Sequence, residues 1–318
     1  MGVVAIETPS RLPRFRRAAE PPAFRLTDDD VEIVRQVGRH RLIRSTDIAA
    51  LVGRSLDRTN DRLMRLFHAG YVDRPRAQLD RFPTSGSAHY IYALADQGAR
   101  LLRQRDGIAF ANPELSRKNR EAGRPFIEHQ IEIVNFQVAL QRAVHECTNL
   151  HLVDTAEMAH AATSQQQRPR FRAPFALRTK LSDQGRVREA TVIPDLVFGL
   201  DLANGERRNF MVEIDRGTMP VHRSDSRQTS FERKMRVYLA AHAARQHERQ
   251  FGWKNFRVLA VTNASSRISA MLKAWRGLRA AHASSAPLFL FTTFDELRAS
   301  SPLAVPWLDG TGGPLSLI

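Results

Sequence analysis

Three carboxylic acids lie close together in the sequence, within two apolar segments that have the composition of β-strands. Asp195 follows Pro194 in TVIPDLVFGL, and Glu213 and Asp215 end the next such segment, RNFMVEID. Because side chains alternate along a strand, Glu213 and Asp215 share one face. Neighbouring strands would bring the three carboxylates together, and their repulsion favours a hard divalent cation with oxygen ligands. The spacing therefore predicts a site for Mg²⁺ or Mn²⁺.

Positive charge is the unusual feature of the composition. Lysine and arginine together number 48 against 33 acidic residues, which gives a net charge of +15 and an isoelectric point near 11.1. This balance favours a polyanionic partner, and double-stranded DNA is the first candidate. The alternative is a solvated basic surface that reflects codon usage, since arginine supplies 43 of the cations.

The segments before residue 105 fit short helices followed by strands. Thr27 and the three aspartates after it are typical of a helix start, a second helix fits TDIAALVG, and a third fits 55–69. YVDRP and HYIYAL fit two strands around a polar loop, and ADQGARLLRQR fits another helix. LFHAGYVDR and the later YALADQGARLL resemble the winged helix-turn-helix family in its third helix, its wing and the helix that follows.

This resemblance implies that the third helix enters the major groove of DNA and that the wing lies against the backbone or in the minor groove. Arginine can pair with guanine and asparagine with adenine, while the remaining cations would neutralise phosphates. The alternatives are a solvated face on which Asp57 and Asp61 pair with the arginines, and a surface for protein contacts. The predicted DNA contacts are Arg54, Arg58, Asn60, Arg62, Arg65, Arg74, Arg76 and Arg81.

Strands and helices alternate after residue 125, which indicates a layered α/β domain. A long helical segment, IEHQIEIVNFQ, precedes the acidic strands, and a helix from Phe231 follows them. This order resembles the PD-(D/E)XK nuclease superfamily over about residues 125–295. The expected fold class is therefore mixed α/β, with an N-terminal winged helix-turn-helix and a C-terminal α/β/α restriction-endonuclease-like domain.

The nuclease resemblance assigns a role to each acid. Asp195 and Glu213 match the metal-binding acids of the motif, whereas Asp215 stands in place of the motif lysine and would add charge or bind a second ion. Lys234, on the next helix, either supplies the missing cation and stabilises the charge that develops on phosphorus, or is a solvated helix lysine. Water activated by the metal would be the nucleophile.

The long helix carries a further acid that the resemblance implicates. Glu132, or its neighbour Glu128, matches the helix acid that assists the metal in the superfamily. The alternative is an ordinary surface pair, because His129 and Glu132 share one face of the helix.

The order of the whole chain resembles the replication-relaxation family. The winged helix is followed by PD, by VEIDRGT, and by a helix in which Lys234 and Tyr238 are four residues apart. The resemblance implies a DNA-binding protein of plasmid or mobile-element replication or transfer. It is either a metal-dependent endodeoxyribonuclease, or a non-catalytic accessory factor or transcriptional regulator whose nuclease-like domain is inactive. Replication or conjugation proteins would be further partners, and a homodimer is left open.

Composition places the domain boundaries. Within the nuclease-like domain, the basic stretch 163–188 is expected to be an irregular insert. The expected order is a flexible basic arm over 1–24, the winged helix-turn-helix over 25–105, a linker over 106–124, the nuclease-like domain over 125–300 and a C-terminal tail over 301–318.

Several functional classes are excluded by what the sequence lacks. It has no Gly-Lys pair and so no ATP-binding P-loop, and no two of its 11 histidines stand two residues apart, as the metal motif of His-based relaxases needs. Cys147 is the single cysteine, which excludes an internal disulfide and a cysteine-rich zinc site. No apolar run is long enough for a membrane helix, so we expect a cytoplasmic protein without a membrane partner.

Overall fold

The computed structural model divides the chain into two compact units, residues 1–135 and residues 136–318. The division falls inside a helix, after the predicted start of the nuclease-like domain at residue 125. Both units combine helices with β-strands, which confirms the mixed α/β class. The structure describes residues 12, 14–81, 89–107, 115–163, 173–183, 186–224, 228–279 and 287–318.

The N-terminal unit surrounds a small antiparallel sheet with helices. Its helices are α1 (Asp28–His40), α2 (Ser45–Leu51), α3 (Leu56–His68), α4 (Asp96–Asp106), α5 (Leu115–Arg120) and the first part of α6 (Arg124–His145). Its strands are β1 (Leu42–Arg44), β2 (Val72–Asp73) and β3 (Ile91–Leu94), and a 3₁₀ helix covers Arg76–Arg81. The strand order is β1–β3–β2. The helices and the strands β2 and β3 lie where the sequence places them, and β1 is an added third strand. The winged helix-turn-helix stays a prediction.

Local sequence explains where α1 begins and what α3 buries. Thr27 caps α1, because its side chain accepts a hydrogen bond from the N–H of Asp30 (3.4 Å) while the Asp30 carboxylate accepts one from the N–H of Thr27 (2.8 Å). Val34 of α1 and Leu63 and Leu66 of α3 are fully buried. One face of α3 therefore belongs to the core of this unit, and its other face is turned outward.

Residues 14–24, expected as part of a flexible arm, are docked on the N-terminal unit. The ring of Phe15 meets that of Tyr90 edge-on at a centroid distance of 5.6 Å. Arg17 donates through Nη2 to Oδ1 of the buried Asp73 at 2.5 Å. The structure differs here from the prediction because an aromatic ring and a buried carboxylate give this segment partners. Most of the preceding residues lie outside the described part of the chain.

The predicted linker over 106–124 contains α5, which packs against the N-terminal unit. Ser116 donates a hydrogen bond from Oγ to Oδ2 of Asp73 (3.0 Å). The start of α6 is also part of this unit, because Ile127 and Ile131 are buried in a cluster with apolar residues of β1 and β3. Polar composition suggested a linker here, but a buried acid and an apolar helix face hold the chain in place.

The C-terminal unit contains the end of α6 and a large mixed sheet. The strands of this unit are β4 (Leu150–Val153), β5 (Leu177–Asp183), β6 (Arg186–Val192), β7 (Leu196–Leu202), β8 (Arg207–Asp215), β9 (Arg257–Thr262), β10 (Phe289–Thr293), β11 (Trp307–Asp309) and β12 (Pro314–Leu315). Of these, β5 and β6 form a separate two-stranded sheet. Its other helices are α7 (Thr155–Thr163), α8 (Phe231–Ala243), α9 (Gln246–Phe251), α10 (Ser265–Arg279) and α11 (Phe294–Ala299). Among the helices described, none has the length and apolar character that crossing a bilayer requires.

The sheet order is β12–β11–β10–β9–β8–β7–β4, in which β8, β9 and β10 are parallel and the other neighbours are antiparallel. Helices cover both faces. Phe136 of α6 packs against Phe198 of β7 (centroids 6.1 Å apart). The adjacent Val197 points the other way, into a core shared with Met235 of α8 and Ile268 of α10. These contacts place the sheet between two helical layers, as predicted.

Two regions expected to be irregular contribute strands. The stretch 163–188 contains β5 and the start of β6. Leu177 of β5 lies opposite Val192 at the end of β6, and both are buried against α8. The expected tail 301–318 supplies β11 and β12, where Trp307 is fully buried. Both regions are rich in charged, glycine or proline residues, so their composition predicts no strands. Several of their few apolar residues are nevertheless buried and determine the packing. Residues 164–172 and 184–185 lie outside the described chain.

Candidate functional site

Two of the predicted metal-binding acids meet where β7 begins and β8 ends. Asp195 directly precedes β7, and its N–H donates to the carbonyl of Val212 (3.0 Å). Leu196 lies opposite Val212, so the same register places Asp195 opposite Glu213. Oδ2 of Asp195 accepts a hydrogen bond from the N–H of Ile214 (2.8 Å). Glu213 therefore lies on β8, and Asp195 lies beside it just before β7 begins, whereas the sequence predicts Asp195 inside a strand. The predicted strand TVIPDLVFGL is divided at Pro194 between β6 and β7.

Glu213 is fully buried, and both of its carboxylate oxygens have partners on α8. Oε2 accepts a hydrogen bond from Nζ of Lys234 (2.5 Å), and Oε1 accepts one from the hydroxyl of Tyr238 (2.6 Å). Ser230 caps α8 by accepting a hydrogen bond from the N–H of Arg233 (3.1 Å). The spacing of four residues puts Lys234 and Tyr238 on one face. The helix thereby brings a cation and a hydroxyl to one buried acid.

Burial and neighbouring charges set the protonation of this group. Burial raises the pKa of Glu213 to about 7, against the opposing charge of Lys234 and with added repulsion from Asp195. Burial disfavours the charge on Lys234, but attraction to Glu213 and Asp195 raises the pKa of its ammonium group. Burial and the adjacent Glu213 raise the pKa of Tyr238 well above its ordinary value. Lys234 and Tyr238 therefore keep their protons at neutral pH.

Asp215 has a separate set of partners on the strand and helix that follow. Parallel pairing of β8 with β9 sets it beside Thr262, whose hydroxyl donates to Oδ2 (2.8 Å). Arg267 of α10 forms a two-point ion pair with Asp215, in which Nη2 donates to Oδ1 at 2.9 Å and Nε pairs with Oδ2. Arg267 also donates to the carbonyl of Met219. This pair holds the chain that follows β8 against α10.

The sequence does not assign three of these partners, Tyr238, Thr262 and Arg267, to a site. Tyr238 has a signal, because it follows Lys234 by one helical turn. Thr262 and Arg267 have none, because only the parallel pairing of β8 with β9 brings them to Asp215.

The role of Asp195, Glu213 and Asp215 toward Mg²⁺ or Mn²⁺ stays a prediction. The described ranges contain no group of three or more acidic, histidine or cysteine residues placed to hold a metal ion. Mg²⁺ usually keeps several waters and takes one or two carboxylates from the protein, so two acids suffice for such a site. Glu213 gives both oxygens to donors on α8, and Asp215 gives both to donors on β9 and α10. Lys234 and Arg267 thus offset the repulsion between carboxylates for which the sequence predicts a metal ion.

Glu132, the third predicted metal ligand, lies in the N-terminal unit. Its Oε2 accepts a hydrogen bond from Nδ2 of Asn135 (3.0 Å), whose Oδ1 accepts one from Nη1 of Arg44 (2.8 Å). These bonds connect α6 with β1. The role of Glu132 toward a metal stays a prediction.

Three of the predicted DNA contacts lie on the outer face of α3 or just before it. Arg58 is exposed and makes no ion pair or hydrogen bond within the part of the chain that the structure describes. Arg54 pairs with Asp29, and Arg65 pairs with Asp61 (3.1 Å), on the same exposed surface. Exposed ion pairs are weak and exchange readily with solvent. A DNA-binding role for these arginines stays a prediction.

Arg62 instead joins α3 to α1. Its Nε donates to Oδ1 of Asp30 at 2.7 Å, and its Nη2 pairs with Oδ2. Burial alone would raise the pKa of Asp30, but hydrogen bonds from Arg62 and Thr27 together lower it. The guanidinium of Arg62 also lies over the ring of Phe24, 5.4 Å from its centroid. The structure differs from the predicted base contact, because the buried Asp30 engages this guanidinium.

Arg74 is buried at the base of the wing. Its guanidinium lies 4.4 Å from the centroid of Phe67 and 4.8 Å from that of Tyr90. Nη1 donates to the carbonyl of Arg14 (2.6 Å), and Nη2 donates to the hydroxyl of Tyr92 (3.0 Å). The structure differs from the predicted DNA contact because aromatic rings enclose this side chain.

The remaining predicted contacts are Asn60, Arg76 and Arg81. Asn60 is half-buried on α3, and Arg76 is exposed at the start of the 3₁₀ helix. Arg81 ends that helix, and its side chain lies outside the described residues. A DNA-binding role for these residues stays a prediction.

Comparison with known families identifies one match. The sequence profile of the replication-relaxation family matches residues 34–258, which is most of the chain. The match includes α3, the wing strands, the paired acids and α8. Searches of curated proteins and of solved structures gave no match. The chain therefore belongs to the replication-relaxation family.

Proposed function

We propose that this protein binds double-stranded DNA during the replication or transfer of plasmids or other mobile elements, and that its C-terminal unit is a nuclease-like domain that does not cleave. Family membership supports the replication context. The observation that carries the DNA-binding proposal is Arg58, an exposed and unpartnered guanidinium on α3.

The construction of α3 suits a helix that enters a groove of DNA. Leu63 and Leu66 bury one face in the core, so the opposite face has a fixed orientation. That face carries Arg58 and Arg65, and Arg54 lies just before the helix begins. The major groove admits an α-helix, and arginine can donate two hydrogen bonds to guanine there. The net charge of +15 adds attraction that does not depend on sequence.

Arg58→Ala tests this assignment. The variant should bind a preferred duplex more weakly by about 1–3 kcal/mol, or roughly 5- to 150-fold. A preferred duplex is first selected from a random pool with the full-length protein, and affinities are then measured by fluorescence anisotropy. Arg103→Ala is the matched control, because it removes the same charge from an exposed position on α4. Equal affinities of the two variants would rule out α3 as the reading helix.

The internal ion pairs support the absence of cleavage. Asp215 stands where a catalytic lysine is expected, and Arg267 engages it. Lys234 is committed to Glu213, and a metal ion at Glu213 would displace it. Removing one partner from a buried ion pair is strongly destabilising, since the other charge is then left unpaired. The site therefore favours a non-catalytic accessory factor.

Metal-dependent cleavage of DNA is the second candidate function. The observation that favours it is the register that places Asp195 opposite Glu213, where both would be ligands of Mg²⁺ or Mn²⁺. It requires Glu213 to give up Lys234 when the metal binds. This candidate predicts metal-dependent nicking or cutting of plasmid DNA, whereas the accessory-factor proposal predicts binding alone.

A further inference from the structure

The short N-terminal segment of residues 14–17 is fixed beside the wing. Arg17 binds the buried carboxylate of Asp73 at the end of β2 (2.5 Å). Phe15 packs edge-on against Tyr90, the residue that precedes β3. The segment is thus held at both strands of the wing.

The backbone of the segment is held as well, while two of its side chains point away. The carbonyl of Arg14 accepts a hydrogen bond from the buried Arg74 (2.6 Å), and the N–H of Ala18 donates to Nδ1 of His68 (3.0 Å). The side chains of Arg14 and Arg16 are exposed, and neither makes an ion pair or hydrogen bond with any residue that the structure describes. Two guanidiniums on an anchored backbone form a surface suited to a polyanion.

We propose that Arg14 and Arg16 bind the phosphates of duplex DNA. This inference rests on the proposed function. Arg17 and Phe15 are positioning residues, because their side chains bind Asp73 and pack against Tyr90 and so anchor the segment. Phosphate contacts carry no sequence information, so the contribution is equal for all duplexes. Anchoring before binding reduces the conformational entropy that the complex must lose.

The test is the double variant Arg14→Ala with Arg16→Ala in the full-length protein. Affinity for duplex DNA is measured by fluorescence anisotropy over a series of KCl concentrations. Each phosphate contact contributes about 0.9 to the slope of log Kd against log salt concentration, so the slope should fall by about 2. The loss of affinity should be the same on a preferred and an unrelated duplex. Arg14→Lys with Arg16→Lys should retain most of the slope.

A matched control separates phosphate contact from net charge. Arg103→Ala with Arg105→Ala removes two exposed arginines from α4 and should leave the slope unchanged. A parental slope in the Arg14 and Arg16 variant overturns the proposal, and so does an equal loss in both double variants. The melting temperature should stay at the parental value, because the substituted side chains are exposed.

Failure of this inference differs from failure of the proposed function. If the parent binds duplex DNA and Arg58→Ala weakens it, a parental salt slope in the double variant removes only the role of Arg14 and Arg16. If the parent does not bind duplex DNA at all, both proposals are wrong.

Discussion

Buried acids in this protein are matched with cations of the protein itself. In each case the acid is almost fully buried, and the cation reaches it from a helix that packs nearby. The pairs are Lys234 with Glu213, Arg267 with Asp215 and Arg62 with Asp30. Because an unpaired buried charge is costly, each pair specifies how its helix docks. This residue-level chemistry explains why Arg62 stabilises the fold although it lies on the predicted DNA-reading helix.

The pH dependence of stability tests the environment of Glu213. Its pKa is raised from 4.5 to about 7, so between these values the folded protein holds a proton that the unfolded chain has lost. The stability from this proton is present below about pH 4.5 and is lost as the pH rises to 7, in all about 3 kcal/mol. Glu213→Gln abolishes this titration. As the pH rises from 4.5 to 7, the parent should therefore lose stability that the variant does not lose. The free energy of unfolding of the variant minus that of the parent should increase over this range.

Urea denaturation of parent and variant at matched pH values measures this difference. The pH profile is the diagnostic quantity, because Glu213→Gln also removes the charge partner of Lys234 and so shifts stability at every pH. Parallel profiles for the two proteins would show that Glu213 titrates normally.

At the scale of elements, segments at both ends of the chain complete the packing of their units. Residues 14–24 dock beside α3 and the wing. At the other end, β11 pairs with β10 and β12 pairs with β11. Trp307 of β11 is fully buried, and its Nε1 donates to the carbonyl of Pro302 (2.9 Å). The last residues therefore belong to the core of the C-terminal unit.

Trp307→Ala tests the contribution of β11. Truncating a fully buried tryptophan should lower the free energy of unfolding by about 3–5 kcal/mol, since it leaves a cavity beside Phe136. Ile318→Ala is the control at an exposed position nearby in sequence, and it should change stability by no more than about 0.5 kcal/mol. Urea denaturation measures both. Similar values for the two variants would show that β11 is dispensable.

At the scale of the whole molecule, the two units carry different parts of the proposed role. The N-terminal unit presents to solvent the guanidiniums of Arg14, Arg16 and Arg58, which have no partner among the described residues. In the C-terminal unit, Glu213 and Asp215 are buried in ion pairs. Family membership connects the chain with replication. Partner proteins of replication or conjugation, a homodimer and a cytoplasmic location stay predictions.

Supercoiled plasmid tests both units in one assay. The full-length protein should retard the plasmid in a gel with Mg²⁺, with Mn²⁺ and with a chelator, and should leave it supercoiled in all three. The physical reason is that protein cations engage Glu213 and Asp215. Asp195→Asn should behave as the parent does. Metal-dependent relaxed or linear product that disappears in Asp195→Asn would instead establish the nuclease.

The order of elements was largely determined by the sequence alone. Helical spacing and the Thr27 cap place α1, and the motif around LFHAGYVDR places the end of α3 and the start of the wing. Strand composition places Glu213 on β8 and Asp195 next to the start of β7, and the helix after them carries Lys234. These features depend on residues close together in the sequence, whose periodicity reports local conformation directly.

Only the tertiary structure decided which groups meet. The parallel pairing of β8 with β9 brings Thr262 and Arg267 to Asp215, far along the chain from it. The buried Asp73 binds Arg17 from a segment that looks flexible by composition. Such pairings arise because a buried acid must find a donor somewhere in the folded chain, and burial is a property of the packed core rather than of local sequence.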